Sequence, residues 1–91
     1  MSTWDVIVSH EAAKTLRRLD SRQRKRLQKE IYGLAESPYP APGRDIIPVK
    51  GVPDLLRLRV GDWRIFYTIN DTENTVYVAA IRPRGGAYRR L

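Results

Sequence analysis

The period of the hydrophobic pattern changes once along this chain, and that change constrains the fold more than any single motif. Up to residue 34 the apolar residues recur at intervals of three and four. Ala12, Leu16 and Leu19 share one face, and Leu27, Ile31 and Leu34 share another. From residue 56 the period becomes two, with Leu56, Leu58 and Val60 alternating with Arg57 and Arg59. Between the two regimes lies ESPYPAPGRDIIPVKGVPD, residues 36–54, which holds five of the six prolines. A ring without an N–H cannot continue a helix, so the helical half must end there. Helices first and sheet afterwards predict an α+β chain.

The detail fits that outline. Trp4-Asp5-Val6-Ile7-Val8 is a short apolar, β-branched run that predicts a first strand, and Ser9 can cap the helix that follows. Asp20-Ser21 is a turn and a second cap, so the two helices form a tight hairpin in which each apolar stripe needs a surface. Residues 36–54 are expected to be a long ordered loop anchored by Ile46, Ile47 and Val49. Gly61-Asp62 and Asn70 to Asn74 are turn sequences that divide the rest into three strands, an antiparallel meander. The expected order is β-α-α-β-β-β, with the helix hairpin packed on one face of a small, mainly antiparallel sheet. Ninety-one residues, 42% of them hydrophobic, suit one domain spanning 1–91 with one modest core.

Composition narrows the chemistry. There is no cysteine, which removes disulfides and thiolate catalysis, and a single histidine, His10, without an HExxH or carboxylate cluster gives no support to a metal site. No cofactor is expected. The N-terminus has neither the basic-then-apolar order of a signal peptide nor a run long enough to span a bilayer, so a cytoplasmic protein with no membrane partner is expected. Seventeen Lys+Arg face ten Asp+Glu, a formal charge of +7 that attracts polyanions. Thirteen of the basic residues are arginine, whose planar fork grips phosphate in two places and stacks on bases.

Alternation says where the arginines point. If Leu56, Leu58 and Val60 face the helices, Arg57 and Arg59 share the opposite face about 7 Å apart. In WRIFYTI the more apolar set is Trp63, Ile65, Tyr67 and Ile69, which puts Arg64 with Arg57 and Arg59 and sets Phe66 between them as a stacking surface. Arg82 at the end of the last strand can reach the same face. Pro83-Arg84-Gly85-Gly86 then turns the chain toward Tyr88, and the Gly85-Gly86 N–H groups could meet an anion. A lone basic residue on an exposed sheet is ordinarily just solvated. Four that converge from separate strands repel one another and need a reason to persist, which a phosphate supplies. By contrast, RRLDSRQRKRLQKE reads as the solvated side of the hairpin, with Arg26 and Glu30 at ion-pairing distance along the helix. Trp4 and Trp63 read as packing residues, and His10 as incidental.

The segments WDVIVSHEAAKTLRRL, VKGVPDLLRLRVGDWRIFYTIND and AAIRPRGGAYR together resemble the RelE/ParE superfamily of type II toxin-antitoxin toxins across nearly the whole chain. LRLRVGDWRIFY is the most specific part. The resemblance implies a toxin. In the RelE branch it is a ribosome-dependent mRNA endoribonuclease cutting in the A site; in the ParE branch it is an inhibitor of DNA gyrase without nuclease chemistry. A third outcome is a degenerate, non-toxic member that acts only by binding its antitoxin. The implied partners are a cognate antitoxin, acidic in complement to the +7 charge, and the ribosome with its mRNA.

Carried over by position, the RelE-type site falls on Arg57 and Arg59, Arg64, Arg82 and Tyr88, with Arg84 as an additional phosphate contact and Phe66 beside them. The implied reaction is metal-free attack of a ribose 2′-OH on its own 3′ phosphate, giving a 2′,3′-cyclic phosphate and a 5′-OH. Arginine, with a pKa above about 12, is a poor base, so Arg57 and Arg59 are cast as electrostatic and positioning groups. Arg64 answers the transition-state charge, and Arg82, or water it holds, protonates the leaving oxygen. Tyr88 acts as base if nearby cations lower its phenol pKa, and otherwise stacks on a base.

Overall fold

A computed structural model of the chain describes residues 4–85. The elements run β1 (Asp5–Val8), α1 (His10–Arg18), α2 (Ser21–Glu36), β2 (Ile46–Pro48), β3 (Leu56–Val60), β4 (Trp63–Asn70) and β5 (Thr75–Pro83). The strands form one sheet in the order β1-β5-β4-β3-β2. β1 lies parallel to β5, with Val6 beside Val76 and Val8 beside Val78. All other neighbours are antiparallel. The helices cover one face, α1 lying against β5 and α2 against β1.

Local chemistry explains the helices. The Ser9 hydroxyl accepts the Ala12 N–H at 3.0 Å, and the Asp20 carboxylate accepts the Gln23 N–H at 2.8 Å, so both predicted caps close orphan donors of a first turn. The hairpin is tightened by Arg24 of α2, which donates through Nε to Leu16 O at 3.1 Å and through Nη2 to Leu19 O at 2.7 Å. Leu16 O also accepts the N–H of the C-cap Leu19 at 3.2 Å, and a cation is favoured at these carbonyls at the end of α1 by the helix dipole. The Arg26–Glu30 pair expected from spacing is not among the ion pairs of the described residues. Arg26 extends instead over Gly61 in the β3–β4 turn, where a Cβ would come within 2.8 Å of its Nη1.

The long loop contains a strand that composition concealed. Ile46 pairs with Leu58 and Pro48 with Leu56, so β2 forms the outer edge beside β3. A proline is tolerated there because an edge strand needs donors on one side only. The ladder continues on both sides: Arg59 N–H donates to Asp45 O, and Val49 N–H to Leu55 O, each at 2.9 Å. Farther back, the Tyr67 hydroxyl donates to Pro38 O at 2.7 Å, which fastens the proline-rich segment to the core. Burial of that phenol pushes its pKa up to about 12. The Tyr39 hydroxyl donates to the Asp71 carboxylate, which raises the Tyr39 pKa, and its ring meets Trp4 edge-on at 5.7 Å.

The core lies between helices and sheet. Ala12, Leu16, Leu27, Ile31 and Leu34 from the helices meet Leu58, Val60, Ile65, Tyr67, Val76, Val78 and Ile81 from the strands. Trp4 and Trp63 pack against this cluster, in keeping with their reading as packing residues. In β5, Val78 and Ile81 both face inward although they are three apart, which a regular strand forbids. A bulge resolves this: Phe66 pairs with Ala80 but Tyr67 pairs with Val78, leaving Ala79 as the extra residue. The phase of β5 is thereby reset between its two halves.

Candidate functional site

Reset by the bulge, the end of β5 sets Arg82 on the opposite side of the strand from the core residue Ile81. The register then sets three arginines side by side on adjacent strands: Arg59 of β3 opposite Arg64 of β4, and Arg64 opposite Arg82 of β5. The next row toward the sheet centre is Arg57, Phe66 and Ala80. Neighbouring strands lie about 4.8 Å apart. Four guanidinium stems therefore rise from a patch three strands wide, as the alternation of β3 and β4 requires.

The arginines are not equivalent. Arg64 is only 6% exposed, and its Nη1 donates to Gly61 O and Trp63 O, each at 3.1 Å. It is thus set rigidly into the floor of the patch by the β3–β4 turn. Arg57 and Arg59 share one carboxylate: Arg57 Nη2 lies 3.9 Å from Asp45 Oδ1, and Arg59 Nε lies 3.8 Å from Oδ2. Arg82 Nη1 is paired with Glu11 Oε2 in the first turn of α1. These two carboxylates lower the repulsion among the four cations while no anion is bound. Both acids are about half exposed, so water keeps the pairs weak enough for phosphate to compete.

Sequence reasoning missed Asp45 and Glu11. Glu11 had a visible role as a favourable charge at a helix start, but nothing in its spacing linked it to a strand 71 residues later. Asp45 lay inside the segment read as loop. Phe66, expected as an open stacking surface, is 1% exposed and forms part of a cavity floor, because its place between Arg57 and Ala80 is central in a five-stranded sheet. Arg84 is exposed beside the β3–β4 turn, its N–H donating to Asp62 O at 2.7 Å. Gly85 adopts a left-handed φ of 98° that turns the chain. Gly86 and Tyr88 lie outside the described residues.

Chemically, the patch can bind and polarise an anion. The guanidiniums donate in planes that match phosphate oxygens, and Arg64 is held in place before any ligand arrives. No group of three or more metal-ligating side chains occurs among the described residues. No helix among them is long and apolar enough to cross a membrane.

A family model described as "ParE toxin of type II toxin-antitoxin system, parDE" matches residues 6–88. The chain belongs to the RelE/ParE superfamily of toxins. A protein of Methanocaldococcus jannaschii named as toxin RelE1 is 27% identical over 86 residues, covering 94% of this chain and 96% of its own length. The toxin in the archaeal RelE-RelB complex from Pyrococcus horikoshii OT3 superposes with a TM-score of 0.79 at 29% identity, over 93% of this chain and 99% of that one. The toxin in the intact E. coli RelBE toxin-antitoxin complex gives a TM-score of 0.73 at 23% identity, over 90% and 96%, and so speaks to the shared fold. Like these RelE folds, this toxin sets two helices on one face of a mixed five-stranded sheet.

Proposed function

We propose that this type II toxin is an mRNA endoribonuclease that works in the ribosomal A site. The observation that carries the reading is the registered row Arg59–Arg64–Arg82, flanked by Arg57. A protein that only docks on another protein has no need to converge four cations on one patch against their own repulsion. In the proposed reaction the 2′-OH oxygen attacks the adjacent phosphorus, the 5′ oxygen of the next nucleotide leaves, and the proton removed from the 2′-OH is balanced by one delivered to that oxygen. Arg64 stabilises the charge growing on the non-bridging oxygens. Arg57 and Arg59 hold the backbone in line, and Arg82 serves the leaving oxygen, directly or through water. Tyr88 either takes the 2′-OH proton or stacks on a base.

The reading extends to partners. The RelE relatives were solved together with RelB, and we infer that this toxin is likewise neutralised by an antitoxin protein, whose acidic character would complement the +7 charge. The matched family description names the parDE system, which favours gyrase inhibition as the second reading. Primer extension on mRNA from cells expressing the toxin separates the two. Codon-positioned cuts that vanish with Arg82→Ala support the nuclease, while intact mRNA with failed DNA supercoiling supports the gyrase inhibitor.

A further inference from the structure

Beside the arginine patch, between the β2–β3 loop and the sheet, lies a cavity of about 460 Å³. Its walls are Ile47, Pro48 and Val52, its floor is Phe66, and its polar groups are Lys50 and Arg57. Among the described residues no carboxylate lines it. We propose that this cavity is a base subsite: it receives the nucleobase next to the scissile phosphate and selects bases with a carbonyl oxygen where adenine and cytosine carry an exocyclic amino group, that is guanine (O6) and uracil (O4). The proposal rests on the nuclease reading and adds a specificity determinant to it.

Three observations lead there. The first is continuity, because Arg57 belongs both to the cavity and to the arginine patch, and it stands two residues along β3 from Arg59. Two residues along a strand span about 7 Å, which is the scale of one step along an extended RNA strand. A phosphate seated on the Arg59–Arg64–Arg82 row therefore places a neighbouring base at the cavity mouth. The second is shape and polarity: the volume falls in the range of small-ligand sites, and apolar walls with a few polar groups suit a flat heterocycle.

The third is the hydrogen-bonding character. Lys50 and Arg57 can only donate, so the lining favours guanine O6 or uracil O4 over the exocyclic amino groups that adenine and cytosine carry at the same positions. Arg57 Nε is buried and has no hydrogen-bond partner among the described residues, while its Nη2 is held only by the 3.9 Å contact to Asp45. A buried donor left unmade is costly. A rotation of this loosely held guanidinium toward an acceptor in the cavity would satisfy it. The larger cavity on the other side of the same loop, about 640 Å³, has Asp54 and Asp71 in its wall and would repel a polyanion.

The test is a set of reporter mRNAs in which the bases flanking one cut site are varied through all four. Cleavage by the wild-type toxin on ribosomes is compared with Lys50→Gln and Val52→Trp, both at exposed loop positions, after thermal melts confirm that each variant is folded. The wild type is expected to cut faster with guanine or uracil at one fixed flanking position. Lys50→Gln should flatten that preference by about 5-fold or more, the lower end of what a well-made side chain–base pairing discriminates. Val52→Trp, which fills the cavity, should slow cutting at the favoured codons most. Cleavage whose base preference is the same in all three proteins, or that favours adenine or cytosine, overturns the subsite and leaves the nuclease standing. A wild-type protein that cuts none of the messages overturns both.

Discussion

Replacing Arg64 by lysine separates grip from scaffold, because it keeps the charge and removes the fork. Arg64 is 6% exposed, and one of its terminal nitrogens serves both Gly61 O and Trp63 O at 3.1 Å. Hydrogen bonds from a charged donor are worth about 1.5–3 kcal/mol each. A shorter ammonium that keeps one of the two contacts should therefore destabilise the protein by about 2 kcal/mol. For a chain of this size that lowers Tm by about 8–16 °C. Cleavage should fall by about 100-fold if Arg64 is a preorganised donor to the phosphate. The two effects are read separately, Tm by thermal denaturation and cleavage by primer extension at a temperature where both proteins are folded. A large drop in Tm with an undiminished cutting rate would make Arg64 a strut of the β3–β4 turn and refute its catalytic role. Unchanged values for both would refute the hydrogen-bond argument as well.

Two other perturbations probe what surrounds the patch. Glu11→Gln removes the partner of Arg82. A partly exposed pair contributes only about 0.2–1 kcal/mol to stability, so the fold should hold; RNA affinity should rise at low salt while cutting slows, and filter binding with primer extension would expose the error if neither moved. The Tyr67 phenol, raised to about 12 by burial, favours the neutral form in the fold, so its contribution is fully present below the usual phenol pKa near 10 and is lost as pH climbs from there through 12. Tyr67→Phe should cost about 1 kcal/mol at neutral pH through the lost bond to Pro38 O, and should show a shallower loss of stability in urea titrations between pH 10 and 12. Parallel alkaline slopes for the two proteins would contradict the assignment.

Much of the fold was legible because its signals are local. Two helix periods with capping residues, and two strands of strict alternation, fix which face of each element is buried; from those phases the grouping of Arg57, Arg59 and Arg64 followed. The features that escaped depend on contacts between distant residues. Nothing near Asp5–Val8 announces that its neighbour will be β5, because a parallel partner is chosen by what remains unpaired at the sheet edge. β2 was hidden by prolines that an edge position tolerates. The exposed face was read as open, yet Arg64 and Phe66 are buried on it. Asp45 and Glu11 reach the site only through the folded geometry, and Tyr88, chosen from its place in the motif, falls outside the described residues.

The bulge at Ala79 also makes the core and the reactive face answer to different clocks on the same strand. The Ser9 hydroxyl, which caps α1, donates its own proton to Ala79 O at 2.7 Å, and two residues later in that helix Glu11 meets Arg82. The start of one helix thus holds both the irregularity and the arginine that the irregularity re-aims. A deletion of Ala79 would restore perfect alternation with Val76, Val78 and Ile81 still inward and Arg82 still opposite Arg64, whereas a deletion at Ala80 or Ile81 that kept the bulge would turn Arg82 toward the hydrophobic interior. Evolution along β5 is consequently free to lose a residue at the bulge itself, and a one-residue gap elsewhere in the strand that leaves the bulge in place would mark a lineage that has given up the arginine row.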